Sequence, residues 1–162
     1  MPDLNTDSPT LMDSDQTAAT ASVQWAADRL AMQDTLARYS WGYDEGDFDM
    51  LAGSFTEDGT TGGTVADSDA AWGPTKGSRA IAEVLREIRD SQTSQRRHTT
   101  HTFRFENQTA TSADMHCYVV ITATEGGKTE TLTAGWYHAT MVKNADGQWL
   151  IADLTARLDS PF

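Results

Sequence analysis

Four histidines are the first candidates for chemistry in this sequence: His98, His101, His116 and His138. Imidazole changes its charge near neutral pH, so a histidine can act there as a general base. His98, in the segment "RRHTTHTFRF", is the candidate for that role. The alternative is a polar strand residue that hydrogen-bonds a neighbouring threonine. A carboxylate partner would favour the first interpretation.

A histidine base needs a group that fixes its tautomer, and Asp44 in "YSWGYDEGD" is the candidate. A carboxylate that accepts from one imidazole nitrogen stabilises the cation formed when the other nitrogen takes up a proton. Trp41 and Tyr43 would partly desolvate Asp44 and so strengthen that interaction. The alternative for Asp44 is a polar turn residue at the end of a helix.

The sequence predicts neither a metal site nor a bound cofactor. His98 and His101 are three residues apart, so a regular strand directs them to opposite faces. The sequence has no His-Glu-x-x-His pair, no Gly-x-Gly-x-x-Gly motif and no phosphate-loop lysine motif. It also has no Gly-x-Ser-x-Gly elbow, and Cys117 has no neighbour in sequence that would lower its thiol pKa.

Ligand pockets are mostly apolar, with a few polar groups that orient the ligand. The candidates for such walls are Tyr43, Phe55, Trp72 and Tyr137. Tyr43 directly precedes Asp44, and Trp72 lies in a segment rich in glycine. The remaining tryptophans are interpreted as core residues: Trp25, Trp136 and Trp149.

A long first helix is predicted from Val23 to near Gly42, because glycine tolerates the left-handed conformation that ends helices. Its buried side is predicted to include Ala26, Leu30, Leu36 or Ala37, and Ser40. Asp44 would then lie just past the helix end.

Two further helices are predicted before the sheet. One covers Phe48 to Ser54, with Asp47 as its cap. Ser78 caps the other, whose core-facing stripe is Ile81, Val84, Leu85 and Ile88. Residues 57–77 contain five glycines and little periodicity, so they are predicted to form a loop that can include one short strand.

The second half of the chain is rich in residues that favour strands. Four strands are predicted: Arg97–Glu106, Ala113–Thr124, Thr129–Lys143 and Gln148–Leu158. The segments "EGGK" and "NADG" are typical hairpin connections. Helices followed by consecutive antiparallel strands define an α+β fold.

Both faces of the predicted sheet carry apolar side chains. Met115 and Cys117 alternate with Tyr118, and Phe103 and Phe105 share the parity opposite to that of His98. The helices can cover one face only, so the other is predicted to pack against a second subunit. We therefore expect a homo-oligomer, either a dimer or a trimer.

Composition excludes several classes of partner. The 162 residues allow about one domain, and acidic residues outnumber basic ones 24 to 12, which disfavours nucleic acid and anionic membranes. No apolar run is long enough to span a bilayer, and the single cysteine fits a cytoplasmic protein. Residues 1–22 are acidic and lack apolar periodicity, so we expect a disordered tail followed by one domain over residues 23–162.

Four segments together resemble a known family. They are "GYDEGDFDMLAGSFTEDG", "GSRAIAEVLREI", "RRHTTHTFRF" and "NADGQWLIADLTARL". Their order and spacing resemble the SnoaL-like and scytalone dehydratase-like branch of the nuclear-transport-factor-like superfamily, over Val23 to Leu158. The resemblance implies a cone-shaped α+β barrel, in which a curved antiparallel sheet wraps three N-terminal helices and encloses an apolar pocket.

The resemblance also implies roles for residues. In scytalone dehydratase and lindane dehydrochlorinase, an Asp after the first helix orients a strand His that removes a proton during elimination. Asp44 and His98 occupy the matching positions, and Tyr43 resembles a tyrosine that activates the substrate carbonyl through water. The dehydratase's second tyrosine and second histidine have no counterpart in "DGTTGG" and "VVITATEG". We therefore expect a different substrate.

The function expected from these observations is a cofactor-independent lyase or isomerase of the dehydratase or dehydrohalogenase type. His98 would abstract a proton from a small, mostly apolar cyclic substrate, while Asp44 holds the productive tautomer. The alternatives are a non-catalytic small subunit of a ring-hydroxylating dioxygenase, a small-molecule-binding protein and a polyketide cyclase. Fold alone does not choose among them.

Overall fold

The computed structural model describes residues 11–161 and consists of three helices and six strands. The helices are α1 (Leu11–Glu45), α2 (Phe48–Ala52) and α3 (Ser78–Asp90). The strands are β1 (Phe55–Val65), β2 (Ala71–Lys76), β3 (Gln95–Glu106), β4 (Ser112–Glu125), β5 (Lys128–Lys143) and β6 (Trp149–Leu158). The predicted α+β class is confirmed.

The strands form a single sheet in the order β2-β1-β6-β5-β4-β3. Tight turns connect β4 to β5 and β5 to β6, where Gly126, Gly127 and Gly147 adopt positive φ angles of 58°, 79° and 81°. All neighbours are antiparallel except β1 and β6, which pair in parallel. The sheet is therefore mixed, although mostly antiparallel.

Strands β1 and β2 correct the loop predicted for residues 57–77. Glycine disfavours strands, which is why the pattern indicated a loop. A Cβ at Gly63 would overlap the Trp72 ring, so glycine is required where that side chain crosses the strand. The glycines thus mark close packing within a strand pair.

Helix α1 differs from its prediction at both ends. It begins at Leu11, so the predicted tail is helical over residues 11–22, and residues 1–10 lie outside the described part. It continues past Gly42 to Glu45, and Gly46 has the left-handed φ of 76°. A Cβ at Gly42 would lie 2.8 Å from the Asp47 carbonyl oxygen and the Leu51 nitrogen. Gly42 therefore permits close packing of α2 on α1, and Asp44 lies in the last helical turn.

The buried side of α1 was also predicted wrongly in part. Ala26 is exposed and Leu30 is 67 % exposed, whereas Met32, Leu36 and Ser40 are buried. Polar side chains share that buried side: Asp28, Thr35, Ser40 and Asp44. Because a hydropathy pattern scores those positions as solvent-facing, the apolar period alone pointed to the wrong side.

A bulge in β3 sets which side chains reach the core. Thr102 has a φ of 57°, and the register with β4 shifts between His101 and Arg104. Phe103 and Phe105 consequently pack against the core, whereas the prediction placed them on the outer face. His101 is exposed on the face opposite to that of His98, as predicted.

Helix α3 buries Ile81, Ala82 and Leu85, while Ile88 remains 37 % exposed. Its N-cap is Gly77, which has no side chain to accept a capping hydrogen bond, rather than Ser78. In α2, the Asp47 side chain accepts from the Met50 amide as predicted.

The outer face of the sheet leaves large aromatic side chains exposed. Tyr118 is 55 % and Trp136 is 38 % exposed, and the two residues are paired across β4 and β5. Trp25 is 44 % exposed, so the core assignment of Trp25 and Trp136 was wrong, and only Trp149 is buried. Among the described residues, no helix is both long and apolar enough to cross a membrane.

Candidate active site

A cavity of about 140 Å³ lies between the inner face of the sheet and helices α1 and α3. Its walls are mostly apolar. They are formed by Tyr39, Tyr43, Trp72, Leu85, Ile88, Gln92, Arg96, His98, Ile121, Tyr137, Ala156 and Leu158. Arg96 and His98 are two residues apart on β3, so the alternation of the strand directs both to this face. The cavity thus combines an apolar interior with a few polar groups.

The structure brings Asp44 and His98 into direct contact, although 54 positions separate them. His98 Nδ1 lies 2.6 Å from Asp44 Oδ1, and the backbone amide of His98 donates to Oδ2 at 2.8 Å. The side chain of His98 is 12 % exposed and that of Asp44 is 7 % exposed. Because a carboxylate only accepts, the contact places a proton on Nδ1 and leaves Nε2 as the nitrogen that can act as a base. The arrangement provides an oriented imidazole beside the cavity.

The backbone around Asp44 is anchored at the same point. Gln95 Nε2 donates to the Asp44 carbonyl oxygen at 2.8 Å, which ties the end of α1 to the start of β3. Next to it, Arg97 pairs with Glu45 at 3.0 Å on the exposed side. The carboxylate is therefore positioned by the helix end and by the strand that carries its partner.

Tyr43 completes the polar part of the cavity. Its ring meets the His98 ring edge-on at 5.2 Å between centroids, and its hydroxyl oxygen accepts from Gln92 Nε2 at 2.8 Å. Burial raises the pKa of Tyr43, although the Gln92 hydrogen bond and the positive charge of Arg96 partly oppose that rise. The phenol is consequently protonated at neutral pH, and its O–H remains able to donate.

Comparison with known families identifies the fold and the family. The family model described as a SnoaL-like domain matches residues 24–155, most of the chain. This chain belongs to the SnoaL-like domain family. None of the curated proteins matches it.

Solved structures agree with the SnoaL-like assignment. An NTF2-like protein with a cystatin-like fold from Novosphingobium aromaticivorans is 24 % identical, covers 91 % of both chains and has a TM-score of 0.71. The protein Rv3472 of unknown function from Mycobacterium tuberculosis is 28 % identical over 82 % of this chain and 77 % of that chain, with a TM-score of 0.64. A structure described as a dioxygenase β subunit from N. aromaticivorans is 17 % identical over 85 % and 92 %, with a TM-score of 0.71. The SnoaL-like domain therefore has the cystatin-like fold.

The structure places three of the four predicted wall residues in the cavity of this SnoaL-like domain. Tyr43, Trp72 and Tyr137 line it. Phe55 does not, because it is buried behind Tyr39, whose ring it meets edge-on at 5.8 Å. Phe55 therefore supports the wall and does not form its surface.

Three polar lining residues were missed by sequence reasoning: Tyr39, Gln92 and Arg96. Tyr39 precedes Tyr43 by four residues, which places both on one side of α1. Arg96 shares the strand parity of His98, so that signal could have identified it. Gln92 follows the end of α3, and its local sequence carries no comparable signal.

The remaining titratable groups of the SnoaL-like domain do not form a metal site. Within residues 11–161, no group of three or more His, Cys, Asp and Glu side chains could hold a metal ion. Burial raises the pKa of the Cys117 thiol to about 12, so it is protonated at neutral pH. Burial also raises the pKa values of Tyr39 and Tyr137.

Proposed function

We propose that this SnoaL-like domain is a cofactor-independent lyase or isomerase that acts on a small, mostly apolar cyclic substrate. The observation that carries the proposal is the double contact of Asp44 with His98, through Nδ1 and through the backbone amide. A structural ion pair would need only one of these contacts. The second fixes the carboxylate, and with it the tautomer and orientation of the imidazole.

The proposed reaction begins when His98 Nε2 takes a proton from a substrate carbon. The C–H electron pair then moves into the substrate, and the imidazolium is stabilised by the Asp44 carboxylate. In a lyase, that pair forms a new double bond as a leaving group departs with its own bonding pair. In an isomerase, the proton returns from His98 to another carbon.

The size of the cavity limits the substrate. An engineered cavity of about 150 Å³ in another protein binds benzene, so about 140 Å³ admits one ring with small substituents. Trp72, Ile88 and Tyr137 provide apolar contact with such a ring. A single-ring substrate therefore fits better than a fused-ring one.

Substitution of the dyad tests the proposal. His98→Gln and Asp44→Asn should each lower kcat by about 10²–10⁴-fold, because general-base catalysis contributes that much. His101→Gln, on the outer face of the same strand, is the matched control and should leave kcat unchanged. The assay follows ultraviolet changes across a panel of hydrated and halogenated single-ring ketones. Full turnover in either dyad variant would contradict the proposal.

A second candidate function is that of a non-catalytic subunit of a ring-hydroxylating dioxygenase. Its support is the similarity in fold to the structure described as a dioxygenase β subunit. Such a subunit needs no oriented histidine base, which is why the lyase or isomerase is preferred. Co-purification of a larger iron-containing chain from the native host, with no turnover by the isolated domain, would favour this candidate. The products formed from the same panel of ketones would distinguish the other two alternatives: a polyketide cyclase would give cyclised products, and a plain binding protein would give none.

A further inference from the structure

We infer that Arg96, at the cavity wall with Tyr43, completes a binding site for a substrate oxygen that becomes negatively charged, and that Gln92 positions Tyr43 within it. This inference deepens the proposed function and rests on it. It specifies the substrate class as a single ring whose carbonyl or phenolic oxygen can carry the charge released by proton abstraction.

The first support is the direction of the hydrogen bond at Tyr43. Gln92 Nε2 donates to the phenol oxygen at 2.8 Å, so the phenol proton is not used by that contact. The edge of the Tyr43 ring lies against His98, with 5.2 Å between centroids. A ligand in the cavity can therefore meet the donor and the base at the same time.

The second support is the charge at this wall. Arg96 lines the cavity, and its guanidinium acts electrostatically on the Tyr43 hydroxyl. A cationic group at the cavity wall is notable in a chain with 24 acidic and 12 basic residues. Positive charge and hydrogen-bond donors are what stabilise a developing oxyanion.

The third support is Gln92 itself, whose side chain lines the cavity. Its Oε1 is buried and has no hydrogen-bond partner among the described residues. Buried polar atoms normally find a partner, so this acceptor fits a substrate hydroxyl next to the charged oxygen. The polar wall thus offers a donor, a cation and an acceptor to an oxygenated ring.

In the proposed step, the proton passes from a substrate carbon to His98 Nε2, and the electron pair passes to the substrate oxygen as an enolate or phenolate. Tyr43 donates a hydrogen bond to that oxygen, and Arg96 supplies the compensating charge. When the leaving group departs or the proton returns, the oxygen becomes a neutral carbonyl or hydroxyl again. No oxidant or co-reactant is required.

The test compares binding of 4-nitrophenol with that of nitrobenzene, which has the same ring but no ionisable oxygen. Calorimetry gives both affinities, and the visible absorbance of the bound phenolate reports its ionisation. The wild-type domain should bind the phenolate at least about tenfold more tightly than nitrobenzene, because hydrogen bonds to charged groups contribute that much. Equal affinities, or no binding of either compound, would overturn the inference.

Variants identify the groups responsible. Arg96→Met and Tyr43→Phe should each reduce the phenolate preference about tenfold while leaving nitrobenzene binding intact, and Arg96→Lys should retain part of it. Arg97→Met, which removes the adjacent surface cation, is the matched control and should keep the preference. A preference that is unchanged in Arg96→Met, or equally lost in Arg97→Met, would contradict the site.

The positioning role of Gln92 has its own variant. Gln92→Glu should draw the Tyr43 proton towards the new carboxylate and place a negative charge at the wall, so phenolate should bind less tightly than nitrobenzene. Retained preference in Gln92→Glu would contradict this role.

One further variant separates the inference from the proposed function. His98→Gln should lower kcat by about 10²–10⁴-fold yet keep the phenolate preference, since the oxygen is held by Tyr43 and Arg96. Loss of the preference in His98→Gln would assign the anion to the imidazole and overturn the inference. Unchanged turnover in His98→Gln would instead contradict the proposed function and leave the binding result standing.

Discussion

At the residue scale, the candidate site depends on one carboxylate whose two oxygens accept hydrogen bonds from different groups. Asp44 Oδ1 accepts a hydrogen bond from the imidazole Nδ1, while Oδ2 accepts one from the backbone amide of the same His98. A free carboxylate rotor could adopt several hydrogen-bonding geometries, and the backbone contact selects one. Asp44 is therefore a positioning residue, and the group that would touch the substrate is His98.

Gly42 offers a test of how tightly the end of α1 is placed. Gly42→Ala would put a Cβ 2.8 Å from backbone atoms of Asp47 and Leu51, so the two helices must separate. We expect a loss of about 1–3 kcal/mol in the free energy of unfolding, the usual range for overpacking. Denaturant titration measures it.

The matched control for this prediction is Gly53→Ala, where the nearest atom to the new Cβ would be 3.3 Å away. Gly53→Ala should cost clearly less than Gly42→Ala. If the two variants were equally stable, close helix packing would not be the reason for glycine at position 42.

At the element scale, α1 is joined to the far end of the sheet by Asp28, which is 4 % exposed. Its Oδ1 accepts from Lys143 Nζ at 2.7 Å, Trp149 Nε1 at 2.9 Å and Gln24 Nε2 at 3.0 Å. Burial raises the pKa of Asp28, but these hydrogen bonds and the Lys143 charge outweigh it and lower the pKa below its ordinary value. The ionised carboxylate is thus favoured by folding.

Asp28→Asn should therefore destabilise the domain by about 2 kcal/mol at neutral pH, since a hydrogen bond to a charged group contributes about that much. A folded-state pKa below the unfolded value means that this contribution is present above the ordinary aspartate range. It is lost as the pH falls through the folded-state pKa. Urea unfolding of both proteins across pH measures the difference, which should shrink in acid. Asp34→Asn, at an exposed position on the same helix, is the matched control and should leave the stability at neutral pH close to that of the wild type.

The elements also show what local sequence could predict. The α3 stripe and strands β3 to β6 follow from side-chain periodicity and hairpin residues, because those depend on near neighbours in the chain. Strand β1 did not follow, since Gly63 is required there by the Trp72 ring, which packs across the strand and is distant in sequence. The Thr102 bulge likewise depends on pairing with β4, and it reverses the side on which Phe103 and Phe105 lie.

At the scale of the whole molecule, the outer face of the sheet is available to a second copy of the chain. Tyr118 and Trp136 are exposed side by side there, and the His101 ring lies 5.9 Å from that of Tyr118. Exposed aromatic clusters are typical of protein interfaces. The homo-oligomer stays a prediction that rests on this face.

Sedimentation velocity at micromolar concentration tests the predicted homo-oligomer. The wild-type domain should sediment as a dimer or trimer, and Tyr118→Lys with Trp136→Lys should sediment as a monomer, because two buried charges oppose association. Trp41→Lys, at an aromatic residue on α1 that is 63 % exposed, is the matched control and should not dissociate the assembly. A wild-type monomer would contradict the prediction.

The sequence by itself determined the α+β class, the four later strands and the candidate pair Asp44 and His98, because residue type and periodicity encode local structure and intrinsic chemistry. Only the tertiary structure decided which groups share the cavity. It placed Arg96 and Gln92 beside Tyr43, moved Phe55 behind Tyr39, and paired β1 with β6 in parallel. Those outcomes depend on packing between segments far apart in the chain, and no local pattern records which distant surfaces will meet.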